Sequence, residues 1–176
     1  MTLQRTLIVA LLAVTLAAGC KGSSRDHPTP NSGPLSAPSS PVAAACPLLP
    51  AERVAAAFGL SGVRTREENK TGLPNGVIVS CEYRVGYSFS MVLGVQSLSA
   101  KGSAGDVLSH ALSGDAGEQL PALGDAAAYH TPAANVGQVA VVKQTADGEF
   151  RVVSLTGDAT AKDKLVALAR DVLQRV

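Results

Sequence analysis

Apolar side chains recur with two different periods along the chain, and each change of period marks an element. Val77, Val79, Cys81, Tyr83 and Val85 alternate with Ile78, Ser80, Glu82 and Arg84, and after Gly86 the alternation resumes in Phe89, Met91, Leu93 and Val95. A period of two belongs to a strand with one buried face, so this stretch predicts a hairpin with Cys81 on its apolar side. Val136 to Gln144 and Phe150 to Leu155 flank the Asp147-Gly148 turn signal as a second pair, with a short strand Ala126 to His130 ahead of them. A weaker strand is read at Val63 to Glu67, followed by a turn region Asn69 to Gly76 around Pro74-Asn75-Gly76.

Helical spacing occurs three times. Pro50 suits a first turn, Val54, Ala55 and Phe58 share a face, and Gly59 suits a left-handed cap, which predicts a helix over Pro50 to Phe58. Ser103 with Asp106 three residues on resembles a capping box ahead of Leu108, Ala111 and Leu112, a stripe that runs up to Gly114. Thr160 with Asp163 reads as a second capping box before the stripe Leu165, Leu168, Ala169, Val172 and Leu173. The resulting order, α-βββ-α-βββ-α, separates helices by runs of strands. It implies an α+β domain with a largely antiparallel sheet of about six strands and helices on one face. The repeated unit is compatible with an internal duplication. Cys46 to Val176, about 130 residues, suffices for one core and is read as one domain.

Ahead of Cys46 the pattern changes. An apolar run from Leu7 to Leu16, broken only by Thr15, follows the single charge Arg5 and leads into Ala17-Ala18-Gly19-Cys20. The run is shorter than the ~20 residues of a spanning helix, so residues 1–19 read as a secretory signal that is removed. The cysteine directly after small residues resembles the lipobox of bacterial lipoproteins. That resemblance implies a diacylglycerol on the Cys20 sulfur, cleavage just before Cys20, and a lipid anchor at the extracytoplasmic face of the cell membrane. Each buried methylene contributes ~0.8 kcal/mol, so two or three acyl chains (palmitate-like) hold a protein where one does so only marginally. Residues 21–45 contain Pro28, Pro30, Pro34, Pro38 and Pro41 among Ser and Ala, with almost no large apolar side chain. The lipidated N-terminus and this stretch, residues 20–45, are expected to form a disordered tether.

Charge and composition exclude several functions. There are 15 Lys plus Arg and 14 Asp plus Glu, and loss of Arg5 with the signal leaves the two signs balanced. Without a net field or a basic run, nucleic acid is not an expected partner. Aromatic residues make up 3% of the chain and Trp is absent, which predicts an aliphatic core and argues against a carbohydrate-stacking surface. Cys46 and Cys81 are the two cysteines left beyond Cys20, and in an oxidising compartment they read as one structural disulfide.

Cys46-Pro47-Leu48-Leu49 leading into a helix, Cys81 followed two residues later by an aromatic, and Leu123-Gly124-Asp125-Ala126 before the second strand group together resemble a set of uncharacterised actinobacterial cell-envelope lipoproteins sharing a domain of unknown function. The resemblance covers Cys46 to Val176. Tyr83 stands here where that family often has tryptophan. The resemblance implies the disulfide and a surface location, and it implies no catalytic residue.

The chain carries no nucleophile elbow, P-loop or dinucleotide fingerprint, since the glycines between Gly72 and Gly76 and between Gly102 and Gly105 lack the spacing and flanking strand. His27, His110 and His130 have no partner at metal-ligand spacing, and Glu67 with Glu68 beside Arg64 and Arg66 reads as a solvated face. No catalytic residue, metal ligand or cofactor is therefore expected. The functional expectation is a membrane-anchored, non-catalytic binding or regulatory module that recognises an envelope protein, a lipid or a wall fragment. The alternative is an envelope-acting hydrolase or transferase in which His110 or His130 meets a serine and a carboxylate in a cleft.

Overall fold

The computed structural model describes residues 38–176 with the exception of 69, 75 and 116. The signal segment, Cys20, His27 and the tether as far as residue 37 lie outside the described residues. In chain order the elements are α1 (Ala51–Phe58), β1 (Arg64–Glu67), β2 (Thr71–Leu73), β3 (Gly76–Val85), β4 (Phe89–Leu98), α2 (Ala104–Ala111), β5 (Glu118–Gln119), β6 (Ala126–Ala133), β7 (Val136–Gln144), β8 (Phe150–Asp158) and α3 (Lys162–Leu173). The strands form one antiparallel sheet in the order β1-β3-β4-β8-β7-β6-β5, with β2 pairing β3 beside β1.

An α+β fold with a largely antiparallel sheet is thus present, with eight strands where six were expected. The extra two are short. β2 lies in the stretch read as a turn and pairs Leu73 with Gly76 across Pro74 and residue 75. β5 is two residues added to the outer edge of β6. Both pair one polar, exposed edge to a neighbour, and such pieces have too few residues to show a period.

The helices do not share a face. On the inner face, Val79, Cys81, Tyr83, Met91, Leu93 and Val95 of the first hairpin join Val139, Val141, Val153 and Leu155 under α1 and α3. On the second face, Ala128, Ala140, Val142, Phe150 and Val152 meet Val107, Leu108 and Leu112 of α2. The reason is visible in the side chains of β7. Val139-Ala140-Val141-Val142 is a continuous apolar run, as a strand covered on both faces requires, whereas β3 and β4 alternate because their second face is left to solvent. The strand groups β1-β3-β4 and β6-β7-β8 meet at β4 and β8, but the helices preceding them lie on opposite faces, so a duplication does not extend to the helices.

Local signals act much as their chemistry predicts. Gly59 takes φ +66° as the cap of α1, and Ser103 and Asp106 form a reciprocal capping box on α2. At α3 the expected Thr160–Asp163 box is absent. Asp158 instead accepts the Thr160 N–H at 2.8 Å and opens a 3-10 turn, Ala159–Ala161, from which α3 continues. The far end of α3 is held by Lys143, whose ammonium donates to the carbonyls of Leu173 and Val176 at 2.9 and 2.5 Å, complementing the negative helix end.

Residues ahead of Cys46 also pack against the domain. Residues 38–45 run as a strap beside the inner face at the β7–β8 end of the sheet. Ser39 N–H donates to Glu149 at 2.6 Å, Ser40 C=O accepts from Arg151 at 2.5 Å, and Val42 N–H donates to the Ser97 hydroxyl at 3.1 Å. Arg151 and Glu149 are buried and 3.4 Å apart, and Ala45 is fully buried. The strap has the composition of a tether, but three buried polar side chains supply partners for its backbone, which offsets the loss of chain entropy.

Replacing Arg151 with methionine leaves the Glu149 carboxylate buried without its cation and Ser40 C=O without its donor. We expect a loss of about 3 kcal/mol in urea denaturation, together with new protease cleavage between Pro38 and Ala45.

Candidate functional site

Cys46 and Cys81 form a disulfide with Cα atoms 4.9 Å apart. Cys46 stands in the 3-10 turn Cys46–Leu48 that leads into α1, and Cys81 on the inner face of β3, so the bond ties the helix entry to the sheet. Closing a loop of 35 residues contributes about 4 kcal/mol in the chain-entropy model. Strand alternation sends Glu67 and Glu68 to opposite faces. Glu67 accepts the N–H groups of Ala45 and Cys46 at 2.6 and 2.8 Å, while Glu68 pairs with Arg66. One half of the acidic pair is therefore a solvated charge, and the other fastens the strap to β1. The Glu67 carboxylate and the two sulfurs lie within 4.8 Å of one another, but sulfurs bonded to each other offer no thiolate to a metal.

Tyr83 stands behind this bond. Its hydroxyl donates to Leu49 C=O at 2.6 Å, and burial, with Glu67 adding to it, pushes its phenol well above the ordinary range. The side chain is a neutral prop for the turn into α1.

The two histidines among the described residues stand on different elements, His130 on β6 and His110 on α2. His130 Nε2–H donates to Gln138 Oε1 at 2.5 Å, and its Nδ1 lies 4.0 Å from Asp115. His110 lies beside Asp106, Ser109 and Ser113 on the outside of α2. The Asp106 carboxylate is committed to Ser103, which holds its pKa low through hydrogen bonds from the backbone N–H and the hydroxyl. Among the described residues no serine or cysteine is hydrogen-bonded to a histidine.

A feature with room for a ligand lies at the end of the sheet opposite the strap. The pairing of β4 with β8 stops at Val92 opposite Thr156, although β4 starts at Phe89 and β8 runs on to Asp158. The two strand ends part, and between them opens a cleft of about 560 Å³. Phe58, Phe89, Met91, Val92 and Val136 give it an apolar lining, and Ser88, Ser90, Asn135, Thr156 and Thr160 supply polar groups. Phe58 and Phe89 pack edge to face at 4.9 Å, and the Lys164 ammonium sits 5.1 Å from the centre of the Phe58 ring. Asp158, on the β8 side, is engaged by the Thr160 N–H and hydroxyl, which lower its pKa. Gly157, on the β8 side, lies against Leu165 and Met91, and behind it Gly137 leaves space for the Tyr129 ring, whose hydroxyl donates to Ala159 C=O at 2.7 Å. A Cβ on Gly137 would stand 2.5 Å from that hydroxyl.

None of these cleft residues stands out in the sequence as a site. The expected end of the last strand, Leu155, lies three residues before its real end at Asp158, and the last two of those, Gly157 and Asp158, lie outside the ladder with β4. The order β4-β8 is a tertiary fact with no local signature. Compared with known protein families, curated proteins and solved structures, the chain matches none.

Tyr83→Phe removes the hydrogen bond to Leu49 and should cost about 1–2 kcal/mol at neutral pH. Because the folded-state pKa is raised, the unfolded chain loses the phenolic proton first. Wild-type stability should therefore be undiminished by this group below pH ~10, the ordinary tyrosine value, and fall as pH rises toward the higher folded value. The Tyr83→Phe variant should lack this part of the alkaline slope when denaturation midpoints are compared between neutral pH and pH ~11.

Proposed function

We propose that this chain is an exported lipoprotein of a bacterial cell envelope, held by lipid on Cys20 at the outer face of the cell membrane, whose domain works by binding. The observation that carries this reading is the cleft between β4 and β8. It has an apolar lining and several hydrogen-bonding groups, and it contains neither histidine nor cysteine. Binding sites are concave and largely apolar with a few placed polar groups, whereas acid–base or nucleophilic chemistry requires a base within hydrogen-bond reach of the reacting group.

The disulfide supports the export part of the reading, since such bonds persist in oxidising compartments. Residues 39–42 are fastened beside the β7–β8 turn, and the cleft is at the opposite end of the sheet, so this part of the chain leaves the cleft uncovered. Tethering at a surface raises the local concentration of such a domain without changing its intrinsic affinity. Membership of the envelope lipoprotein set that the Cys46-Pro47-Leu48-Leu49 and Cys81-x-Tyr83 segments resemble is part of the same proposal.

Two measurements test this reading. Cys20→Ser should release the protein from the membrane fraction of the producing cell, and unchanged fractionation would remove the anchor. His110→Ala with His130→Ala should leave cellular function intact at equal envelope level. A folded double variant that loses all function would instead favour a hydrolase or transferase.

A further inference from the structure

The end of the β4–β8 ladder is more than a gap. Antiparallel strands alternate between pairs that exchange two hydrogen bonds and pairs that exchange none. Beyond Val92 and Thr156 the next two pairs, Met91 with Gly157 and Ser90 with Asp158, are both missing from the ladder. A bridge requires a pair of hydrogen bonds, so at least one of the main-chain bonds that would join Ser90 to Asp158 is missing from the ladder. Facing main-chain donors and acceptors at strand spacing are what an extended peptide satisfies. The ladder closes the opening at Val92 and Thr156, so a chain end fits against that closed side.

Two further features choose which end. Lys164, at the lip over Phe58, pairs with no carboxylate among the described residues, while the one acidic group of the cleft, Asp158, already accepts two hydrogen bonds from Thr160. Asp158 keeps its negative charge but is engaged by Thr160, so Lys164 is the group left to form a new ion pair, and it suits a carboxylate. Below it Phe58, Phe89 and Met91 form an apolar floor that suits one side chain.

We propose that the β4–β8 cleft binds the C-terminal end of an extended peptide, with the last side chain apolar, the main chain hydrogen-bonded to the parted strands and the terminal carboxylate near Lys164. This rests on the reading of the domain as a binding module and names the ligand class of its cleft.

The test uses the exported, oxidised protein and fluorescein-labelled hexapeptides ending in leucine, phenylalanine or aspartate, each as free acid and as C-terminal amide, followed by fluorescence anisotropy. Free acids ending in leucine or phenylalanine should bind at least about tenfold more tightly than those ending in aspartate, given the area a buried side chain removes from water. Amidation should weaken binding by about fivefold, the upper range for an exposed ion pair. Lys164→Gln, a change of an exposed side chain that leaves the core untouched, should abolish the difference between acid and amide while amide binding stays unchanged. Phe89→Ala should weaken all peptides alike. Equal binding of acid and amide by the wild-type protein, an acid preference that survives in Lys164→Gln, or tighter binding of peptides with only a free amino end would each overturn the proposal. Failure of every peptide to bind would also overturn it. The broader binding reading would stand in that case so long as the histidine variants remain functional, and would fall with them whatever the peptides do.

Discussion

The pairing of β4 with β8 is the contact on which the rest of the structure depends. It joins Val92–Leu98 to Phe150–Thr156, segments far apart in the chain, and makes two hairpins into one sheet. Leu93 and Val95 then lie beside Leu155 and Val153 at the centre of the inner face, where α3 can lay its apolar stripe across both halves. The entropy of closing so long a loop grows only logarithmically with its length, so one well-packed strand pair is sufficient to hold it. Where the same pairing ends it leaves the cleft. The central scaffold and the candidate site are two parts of a single ladder.

The two ends of that ladder carry opposite solutions for polar groups. At the strap end, Arg151, Glu149 and Ser97 point inward from an apolar strand environment, a costly arrangement unless each finds a partner. They find one in the backbone of residues 39–42, which converts a proline- and serine-rich segment into part of the fold. At the far end, by contrast, the ladder stops at Val92 and Thr156, and the pairs Met91–Gly157 and Ser90–Asp158 are not bridged. One end is closed by the chain's own backbone and the other is left open.

The open half of the second face fits the same picture. Glu82 is held between Arg66 and Arg84 at 2.9 and 2.5 Å, and Arg66 also reaches Glu68. Charges arranged in this way on the edge strand β1 and its neighbour satisfy one another and discourage edge-to-edge association. They belong to solubility, and the net balance of charge in the composition is reproduced locally here.

What the sequence determined by itself was everything set by neighbours close in the chain. The alternation from Val77 to Val95 made β3 and β4, Gly59 ended α1, Ser103 and Asp106 started α2, and Leu165 to Val172 made the buried side of α3. Two cysteines placed on helix entry and strand were enough for the disulfide. That β7 is covered on both faces was also written there, in the unbroken Val139-Ala140-Val141-Val142 run, since a strand buried on both faces loses its alternation, but not that α2 is the helix that covers the second face. Three more things only the tertiary structure decided: the adjacency of β4 and β8, the docking of residues 38–45, and the cleft. Each depends on which distant backbone a segment meets. Main-chain hydrogen bonds are the same for every residue type, so nothing in the side chains of Pro38 to Ala45, or of Phe89 to Met91, announces whether their backbone will be paired or left open.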